Sequence, residues 1–155
     1  MAVLDLLELP AALPAMTPVV GLDLGEKTIG VAVSDATRMV ATPLELIRKT
    51  KFTDDAKALL RLMESRGATG IVIGLPVNMD GTEGPRCQSS RAFARNILRL
   101  RDLPIAFWDE RMSTMAINRM LIAEADMNRA RRAEVVDKAA AAWILQGALD
   151  RLANA

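Results

Sequence analysis

The sequence contains no histidine and no tyrosine, and it has a single cysteine, Cys87. Without histidine, the chain cannot build a Ser-His-Asp or Cys-His nucleophile system, a His-ligated zinc site or a histidine general base. One cysteine cannot form an intramolecular disulfide, which is typical of a reducing compartment, and we therefore expect a cytoplasmic protein. Any catalysis must use carboxylates, lysine, arginine, hydroxyl groups or a bound metal.

Aromatic residues are also scarce, at 3% of the chain, so aliphatic side chains and methionine must fill the core. A length of 155 residues, of which 51% are hydrophobic and 25% charged, suits one globular domain. The apolar N-terminus lacks a basic start and is interrupted by Pro10 and Pro14, which argues against a signal peptide or a membrane span. We expect residues 1–17 to be an extension, lying on the domain or partly disordered, residues 18–155 to form the domain, and no membrane partner.

Charge is nearly balanced overall but unevenly distributed along the chain. The net charge is +1, with a net −3 in residues 1–85 and a net +4 in residues 86–155. Arg91, Arg95 and Arg99 are spaced to share the outward face of one helix. Such a basic face suits a nucleic-acid partner, although an ordinary solvated helix surface gives the same count.

Apolar runs separated by turn residues predict five strands and four helices. Pro43 places the third strand at an edge of the sheet, and Gly67 ends the first helix. We expect strands within 19–35 (two strands), 39–47, 70–75 and 104–108. We expect helices from the Thr53–Asp55 cap to Arg66, at 89–100, from Ser113 or Thr114 to about Ala125, and at 134–152 after a polar connection at 126–132.

The spacing of these elements predicts a mixed five-stranded sheet. The first three strands are joined too closely for crossovers and should be antiparallel, whereas the later strands follow helices and should run parallel to the first. The result is an α/β domain with helices on both faces. Since sites in open α/β sheets gather beyond the carboxyl ends of parallel strands, the first, fourth and fifth strands should end at one functional edge.

Carboxylates are expected at that edge. Asp23 lies inside the first apolar strand, where an uncompensated charge is costly, and Glu110 follows the fifth strand. Asp137 is the only charge on a helical stripe of mostly small apolar residues. Clustered carboxylates need a cation, and oxygen ligands select Mg²⁺ or Mn²⁺. Such a site suits phosphoryl chemistry, in which two ions about 4 Å apart activate water and stabilise the leaving oxygen.

Each candidate also has a structural alternative. Asp23 suits the tight turn that follows it, and Asp109 can cap the next helix. Asp137 can pair in the interior with an arginine such as Arg111. The loop at 76–85 is rich in Gly, Pro, Asn and Asp and is long for a simple connection, so a functional role is favoured.

Four motifs, taken together and in this order, resemble the YqgF family, whose members are named pre-16S rRNA nucleases or Holliday junction resolvase-like proteins. The resemblance covers about residues 18–152, and a lone Asp-x-Gly would not be specific. The motifs are DLGEKTIGVAVSD at 23–35, GLP at 74–76 with NMDGTEG at 78–84, DERMST at 109–114, and Asp137 with Ala140 and Ala141.

The resemblance implies a ribonuclease H-like fold with strand order 3-2-1-4-5 and an antiparallel strand 2. It also implies a metal-dependent nuclease acting in 16S rRNA 5′-end maturation, with Asp23, Glu110 and Asp137 as catalytic ligands of Mg²⁺ or Mn²⁺. Lys27 and Arg111 would contact phosphate oxygens. Many relatives carry arginine at position 27, and lysine keeps the charge but not the bidentate geometry.

The same resemblance implies where substrate and partners would bind. Asn78 and Asp80 would border the substrate groove, and the Arg-rich helix with Arg129, Arg131 and Arg132 would bind the nucleic-acid backbone. The expected partners are an rRNA precursor, branched DNA and ribosomal particles. The sequence leaves open whether the protein is a monomer or a homodimer.

Three other functions stay open at this point. A non-catalytic nucleic-acid-binding factor in ribosome assembly or transcription would use the basic face and leave the acids metal-free. A Holliday junction resolvase would share the chemistry and differ in substrate. A sugar kinase or actin-like ATPase has a similar Asp-x-Gly hairpin, but it needs two such domains, and 155 residues are too few for them.

Overall fold

A computed structural model describes residues 3–112 and 129–155, and over residues 129–138 it describes the helical backbone alone. One sheet contains β1 (Val19–Leu24), β2 (Thr28–Ser34), β3 (Ala41–Arg48), β4 (Gly70–Leu75) and β5 (Ile105–Asp109). The α-helices of the described ranges are α1 (Phe52–Arg66), α2 (Pro85–Leu100) and α3 (Arg129–Ala153). Short 3-10 turns occur at Leu6–Glu8, Pro10–Ala12 and Glu110–Met112.

The strand order is β3-β2-β1-β4-β5, which confirms the predicted mixed α/β architecture. β2 is antiparallel to both β1 and β3, whereas β4 is parallel to β1 and to β5. All six residues of β4 are buried, as its continuous apolar run indicated. β3 contains Pro43 and lies at the edge, as predicted.

Alternation along the strands sends side chains into two separate cores. Val19 and Val72 point to one face, which packs against α3 and the N-terminal segment; we call it the α3 face. Leu22 and Ile73 point to the other face, which packs against α1 and α2; we call it the α1/α2 face. The expectation that helices cover both sides of the sheet is therefore confirmed.

On the α3 face, glycines allow the helix to approach the strands closely. A Cβ added at Gly21 would lie 2.6 Å from the Leu145 Cβ and 3.1 Å from the Ala141 carbonyl oxygen. A Cβ added at Gly74 would lie 2.5 Å from the Ile144 Cδ1. Real Cβ atoms essentially never approach other atoms within 3.0 Å, so a larger residue at Gly21 would push the helix away, and one at Gly74 would displace the Ile144 side chain.

The segment before β1 also packs on the α3 face. Leu4 forms a parallel bridge with Ala106 of β5, and its N–H donates to the Ile105 carbonyl oxygen at 2.8 Å. Leu9 and Leu13 are buried, with 1% and 9% of their surface exposed. The division into an extension at 1–17 and a domain from residue 18 stays a prediction, but residues of both parts share one core.

Helix starts differ from the sequence expectations. α1 begins at Phe52, so Thr53–Asp55 do not cap it; the Asp55 carboxylate instead accepts hydrogen bonds from the N–H of Thr50 at 3.0 Å and from its hydroxyl at 3.2 Å. α2 begins at Pro85 rather than at residue 89, because proline is pre-organised for the first helical turn.

The last helix and its surroundings also need correction. The expected polar connection at 126–132 is helical from Arg129, since arginine and alanine are good helix formers. The helix expected from Ser113 or Thr114 to Ala125 lies outside the described residues. Within the part of the chain that the structure describes, no helix is long and apolar enough to cross a membrane.

Candidate active site

Three parallel strands end at one edge of the sheet, as the sequence predicted. β1 ends at Leu24, β4 at Leu75 and β5 at Asp109, and this carboxyl edge is where sites form in open α/β sheets. Asp23 and Glu110 both lie here: Asp23 is the next-to-last residue of β1, and Glu110 directly follows β5. The strand topology alone therefore brings together two acids that are 87 residues apart in the sequence.

Gly74 is the position that links Asp23 to Glu110. The register pairs Leu22 with Ile73, so Asp23 and Gly74 come next on neighbouring strands, which are about 4.8 Å apart. One Glu110 carboxylate oxygen, Oε2, lies 3.2 Å from the point that a Cβ of residue 74 would occupy. Because glycine has no side chain, the Glu110 carboxylate lies over β4, on the side of Asp23.

Burial distinguishes Asp23 from an ordinary turn residue. It is 7% exposed. It points to the α3 face because it is two and four residues along the strand from Gly21 and Val19, which lie on that face. A carboxylate at a helix–sheet interface is costly unless it is paired or coordinates a cation, and a second carboxylate nearby raises that cost. Two acids therefore share this part of the interface, and their role as cation ligands stays a prediction.

Asp137 lies on α3, and the course of the helix indicates where its backbone is. The Ala141 carbonyl oxygen lies beside Gly21, near the middle of β1. Five residues later, Gln146 accepts a hydrogen bond at 2.9 Å from the N–H of Ala41, which lies at the end of the sheet opposite the carboxyl edge. α3 therefore runs antiparallel to β1, and residue 137, one turn before Ala141, lies on the side of the carboxyl edge. Its side chain is outside the described part, so its convergence with the other two acids stays a prediction.

The donors present fit a hard divalent cation as far as they are described. Asp23 and Glu110 supply carboxylate oxygens, which are the ligands that Mg²⁺ and Mn²⁺ prefer. No group of three His, Cys, Asp or Glu side chains within the described ranges is arranged to hold a metal ion. A third protein ligand would have to come from elsewhere in the chain, and Asp137 is the candidate.

Asp109 and Arg111 form a fork beside these acids. Arg111 Nη2 lies 2.7 Å from Asp109 Oδ2, Arg111 Nε lies 3.1 Å from both carboxylate oxygens, and the Arg111 N–H donates to Oδ1 at 2.9 Å. The Arg111 side chain lowers the pKa of Asp109, and the same contact raises the pKa of Arg111. The structural alternative suggested for Asp109 fits this arrangement, in which Asp109 positions the guanidinium at the edge.

The loop at 76–84 keeps its shape through its own polar side chains. Asn78 Nδ2 donates to the Thr82 hydroxyl at 3.0 Å, and the Asp80 carboxylate accepts from the Thr82 hydroxyl at 2.6 Å and from its N–H at 3.0 Å. These hydrogen bonds lower the pKa of Asp80, and Gly81 provides the positive φ of 90° that the turn requires. Direct contact of Asn78 or Asp80 with substrate stays a prediction.

The remaining basic candidates divide into exposed and paired groups. Lys27 is exposed in the β1–β2 turn, and its phosphate contact stays a prediction. Arg95 and Arg99 are exposed on α2, as expected for a solvated face. Arg91 differs from that expectation, because it forms an ion pair with Glu83 at 2.7 Å. The side chains of residues 129–138, including the arginines at 129, 131 and 132, are outside the part of the chain that the structure describes, so their binding to the nucleic-acid backbone stays a prediction.

Sequence reasoning gave no role to Gly74, although a signal for it was present. A glycine inside a strand of isoleucine, valine and leucine marks a close approach of other atoms. Here Ile144 and the Glu110 carboxylate both occupy the space above Gly74. The glycine thus belongs to the geometry of the site as much as the acids do.

Proteins of known sequence resemble this chain over most of its length. A protein of Phenylobacterium zucineum (strain HLK1) is 84% identical over 155 residues, covering 99% of each chain. A protein of Rhodospirillum rubrum is 64% identical over 141 residues, covering 91% of this chain and 88% of its own. Both are named "Putative pre-16S rRNA nuclease".

Solved structures agree with the fold. RuvC of Thermus thermophilus in complex with a Holliday junction substrate matches with a TM-score of 0.56 and 11% identity, covering 90% of this chain and 98% of its own. A second structure of T. thermophilus RuvC matches with a TM-score of 0.51 and 10% identity. The expected ribonuclease H-like fold is thereby confirmed. Residues 17–151 match the family model described as "RuvX: Holliday junction resolvase", and the chain therefore belongs to the RuvX (YqgF) family.

Proposed function

We propose that the protein is a metal-dependent nuclease that hydrolyses phosphodiester bonds at the 5′ end of the 16S rRNA precursor. The observation that carries this proposal is the placement of two acids at the carboxyl edge on the α3 face, with the Glu110 carboxylate over Gly74 and Asp23 on the neighbouring strand β1. The names of the relatives supply the substrate. The absence of histidine agrees with chemistry based on carboxylates and metal.

Asp23, Glu110 and Asp137 are the proposed ligands of Mg²⁺ or Mn²⁺. Bound there, the ions would polarise the phosphate, lower the pKa of an attacking water and stabilise the leaving oxygen. Asp23 is held by the β1 ladder and Glu110 by the end of β5, so both carboxylates sit on rigid elements rather than on flexible loops. Rigid placement keeps the reorganisation needed at the moment of reaction small.

The surrounding cations have a proposed role in binding the phosphate. Arg111 is held by Asp109, so its guanidinium has a fixed direction at the edge and can orient a phosphate oxygen. Lys27, in the exposed turn between β1 and β2, contributes a less directional charge. The loop at 76–84 borders the same edge, with Arg111 Nη1 3.5 Å from the Met79 carbonyl oxygen.

A second candidate substrate is branched DNA, because the family model is described as a Holliday junction resolvase. The two substrates require the same hydrolytic chemistry and differ in what the surface outside the acids must recognise. A role as a non-catalytic assembly factor is the third candidate. Cytoplasmic location and binding to ribosomal particles are proposed together with the rRNA substrate, and the proposed oligomeric state is a monomer or a homodimer.

The decisive experiment compares cleavage of a labelled rRNA precursor and a four-way DNA junction in Mg²⁺, Mn²⁺ or EDTA. Asp23→Asn should slow cleavage by about 100-fold or more, since a lost metal ligand removes several kcal/mol of charge stabilisation. Asp54→Asn, at an exposed acid in the first turn of α1, is the matched control and should cleave like the wild type. Circular dichroism checks that both variants fold.

The outcomes separate the candidates. Preference for the rRNA precursor supports the proposal, and preference for the junction supports the second candidate. Full cleavage by Asp23→Asn, or cleavage in EDTA, contradicts the metal mechanism. Equal Mn²⁺ binding by the wild type and Asp137→Asn in isothermal titration, together with no cleavage of either substrate, favours the non-catalytic factor.

A further inference from the structure

A cavity lies at the carboxyl edge on the α1/α2 face, and the proposed chemistry does not use it. Its volume of about 580 Å³ falls within the range of about 300–1,000 Å³ that is usual for small-molecule sites. Residues 24–26 of the β1–β2 turn line one side, Arg86, Ser89 and Phe93 of α2 line another, and Lys49 lines a third.

The fold holds these lining residues in place. The three α2 residues are three and four positions apart, so they share one face of the helix. The Lys49 N–H donates to the Lys27 carbonyl oxygen at 2.9 Å, which fixes the end of β3 beside the turn. The Phe93 ring packs edge to face against Phe52, with centroids 5.5 Å apart and planes at 81°. The cavity is therefore a built feature of the domain rather than a gap between loops.

Two cations of the lining are available to a ligand. Lys49 and Arg86 are exposed, and neither side chain forms an ion pair or hydrogen bond with the residues that the structure describes. Arg91, farther along α2, shows the contrast, because Glu83 accepts two hydrogen bonds from its guanidinium, both at 2.7 Å. Among the described residues that line the cavity, Glu26 is the only acid, so this part of the lining has a net positive charge.

The chemistry of the lining matches a nucleotide. Lys49 and Arg86 suit a phosphate. The Ser89 hydroxyl donates to the Pro85 carbonyl oxygen at 3.1 Å, and its lone pairs can accept a hydrogen bond from a ribose hydroxyl or a base amino group. The half-buried Phe93 ring offers an aromatic surface for a base, and such stacking is tolerant of sequence. Glu26 can accept a hydrogen bond from a base amino group or a ribose hydroxyl.

We propose that this cavity binds one nucleotide of the substrate strand next to the scissile phosphodiester. Its phosphate lies at Lys49 and Arg86, and its base lies against Phe93. The cavity begins at Leu24, the residue after Asp23, and opens on the opposite face of β1, so a strand crossing the β1–β2 turn reaches both sites. This inference rests on the proposed nuclease function and adds a subsite to it.

The test measures binding of a labelled single-stranded RNA decamer in EDTA by fluorescence anisotropy, at several salt concentrations. Arg86→Gln should weaken binding about threefold to tenfold and lower the salt slope by about 0.7, the contribution of one phosphate contact on a single strand. Phe93→Leu should weaken binding about fivefold or more and leave the salt slope unchanged, because stacking carries no charge. Arg66→Gln, at the end of α1 on the opposite edge, is the matched control and should bind within about twofold of the wild type.

A second aromatic variant separates stacking from folding. Phe93→Tyr keeps the ring and its packing against Phe52, so it should bind like the wild type. If Phe93→Tyr weakens binding as much as Phe93→Leu, or if Arg86→Gln and Phe93→Leu bind like Arg66→Gln while the wild type cleaves its substrate, the subsite is overturned and the nuclease function stands. If the wild type neither binds nor cleaves any nucleic acid, both proposals fail. The subsite is also overturned if Arg86→Gln and Phe93→Leu weaken the binding of a free mononucleotide but leave the binding of the decamer unchanged.

Discussion

The two faces of the sheet meet their helices in different ways. On the α3 face, Gly21 and Gly74 leave no side chain between strand and helix, and Leu145 and Ile144 approach the strands directly. On the α1/α2 face, Leu22, Ile71 and other branched side chains fill the space between sheet and helices. On the α3 face, strand and helix are therefore in close contact at glycines, whereas on the α1/α2 face branched side chains lie between them.

This difference shows how one edge of the sheet can serve two purposes. On the α3 face, the helix is close to the sheet, and the acids proposed to share an ion come from β1, from the turn after β5 and from α3. On the α1/α2 face, a cavity remains between α2 and the β1–β2 turn. The chemistry and the binding of the strand are thus assigned to opposite faces of the same edge.

The largest effect is expected where the N-terminal segment completes the α3 face. Leu9 is 1% exposed in that core, so Leu9→Ala should lower the free energy of unfolding by about 3 kcal/mol. Leu7→Ala, at a side chain that is 51% exposed, is the control and should change it by less than about 0.5 kcal/mol. Urea unfolding measures both. Equal effects would mean that the segment is an appendage and that α3 alone covers this face.

A smaller effect on stability is expected from adding one carbon to the α3 face or removing one carbon from the α1/α2 face. Gly21→Ala adds a methyl group where Leu145 is already in contact, and it should cost about 2 kcal/mol. Ile73→Val removes a methylene from the α1/α2 face and should cost about 1 kcal/mol. Urea unfolding of both variants measures the difference. A cost for Gly21→Ala below that for Ile73→Val would break the comparison between the two faces.

The smallest effect concerns an acid at the opposite edge, after β2. Hydrogen bonds from the Thr37 hydroxyl and from the N–H groups of Val40 and Met39 lower the pKa of Asp35 to about 2. Because the folded pKa lies below the unfolded value of 3.8, the stabilisation is complete above that value and is lost as the pH falls through about 2. The melting temperature of Asp35→Asn should lie slightly below that of the wild type at about pH 7, and the two should converge only below about pH 2.

Asp35 sharpens the comparison because neutral donors alone account for its pKa. Its role is to close a turn, whereas Asp23 and Glu110 are proposed to hold a cation. Titration with Mn²⁺ should therefore leave the melting temperature of Asp35→Asn as responsive as that of the wild type. A loss of that response would mean that metal binding depends on Asp35, and it would contradict the placement of the metal at the carboxyl edge.

Most of the sheet could be predicted from sequence because its signals are local. Apolar runs marked the strands, Pro43 marked the edge, and the short connections required an antiparallel start. Helix starts were less predictable, because Thr53–Asp55 and Pro85 carry competing capping signals within a few residues. At the start of α1, the Asp55 carboxylate accepts hydrogen bonds from Thr50. This arrangement depends on the position of the chain at the end of β3, which the local sequence does not specify.

The candidate site could be predicted only in part. The rule that parallel strands end together placed Asp23 and Glu110 at one edge, and the resemblance favoured Glu110 over Asp109. The ion pair of Asp109 with Arg111 agrees with that choice. No sequence pattern linked Lys49, Arg86 and Phe93, because they come from separate elements and meet only where α2 packs beside the β1–β2 turn.

The sequence by itself determined which chemistry is open to this protein and which elements form. A chain without histidine has only carboxylates and basic groups to work with, and the period of its apolar residues sets its strands and helices, since both are properties of neighbours along the chain. Only the tertiary structure decided that Glu110 lies over Gly74 beside Asp23, and that a charged cavity opens on the other face. Those arrangements depend on strand register and on the distance of closest approach between helix and sheet, which are set by residues far apart in the sequence.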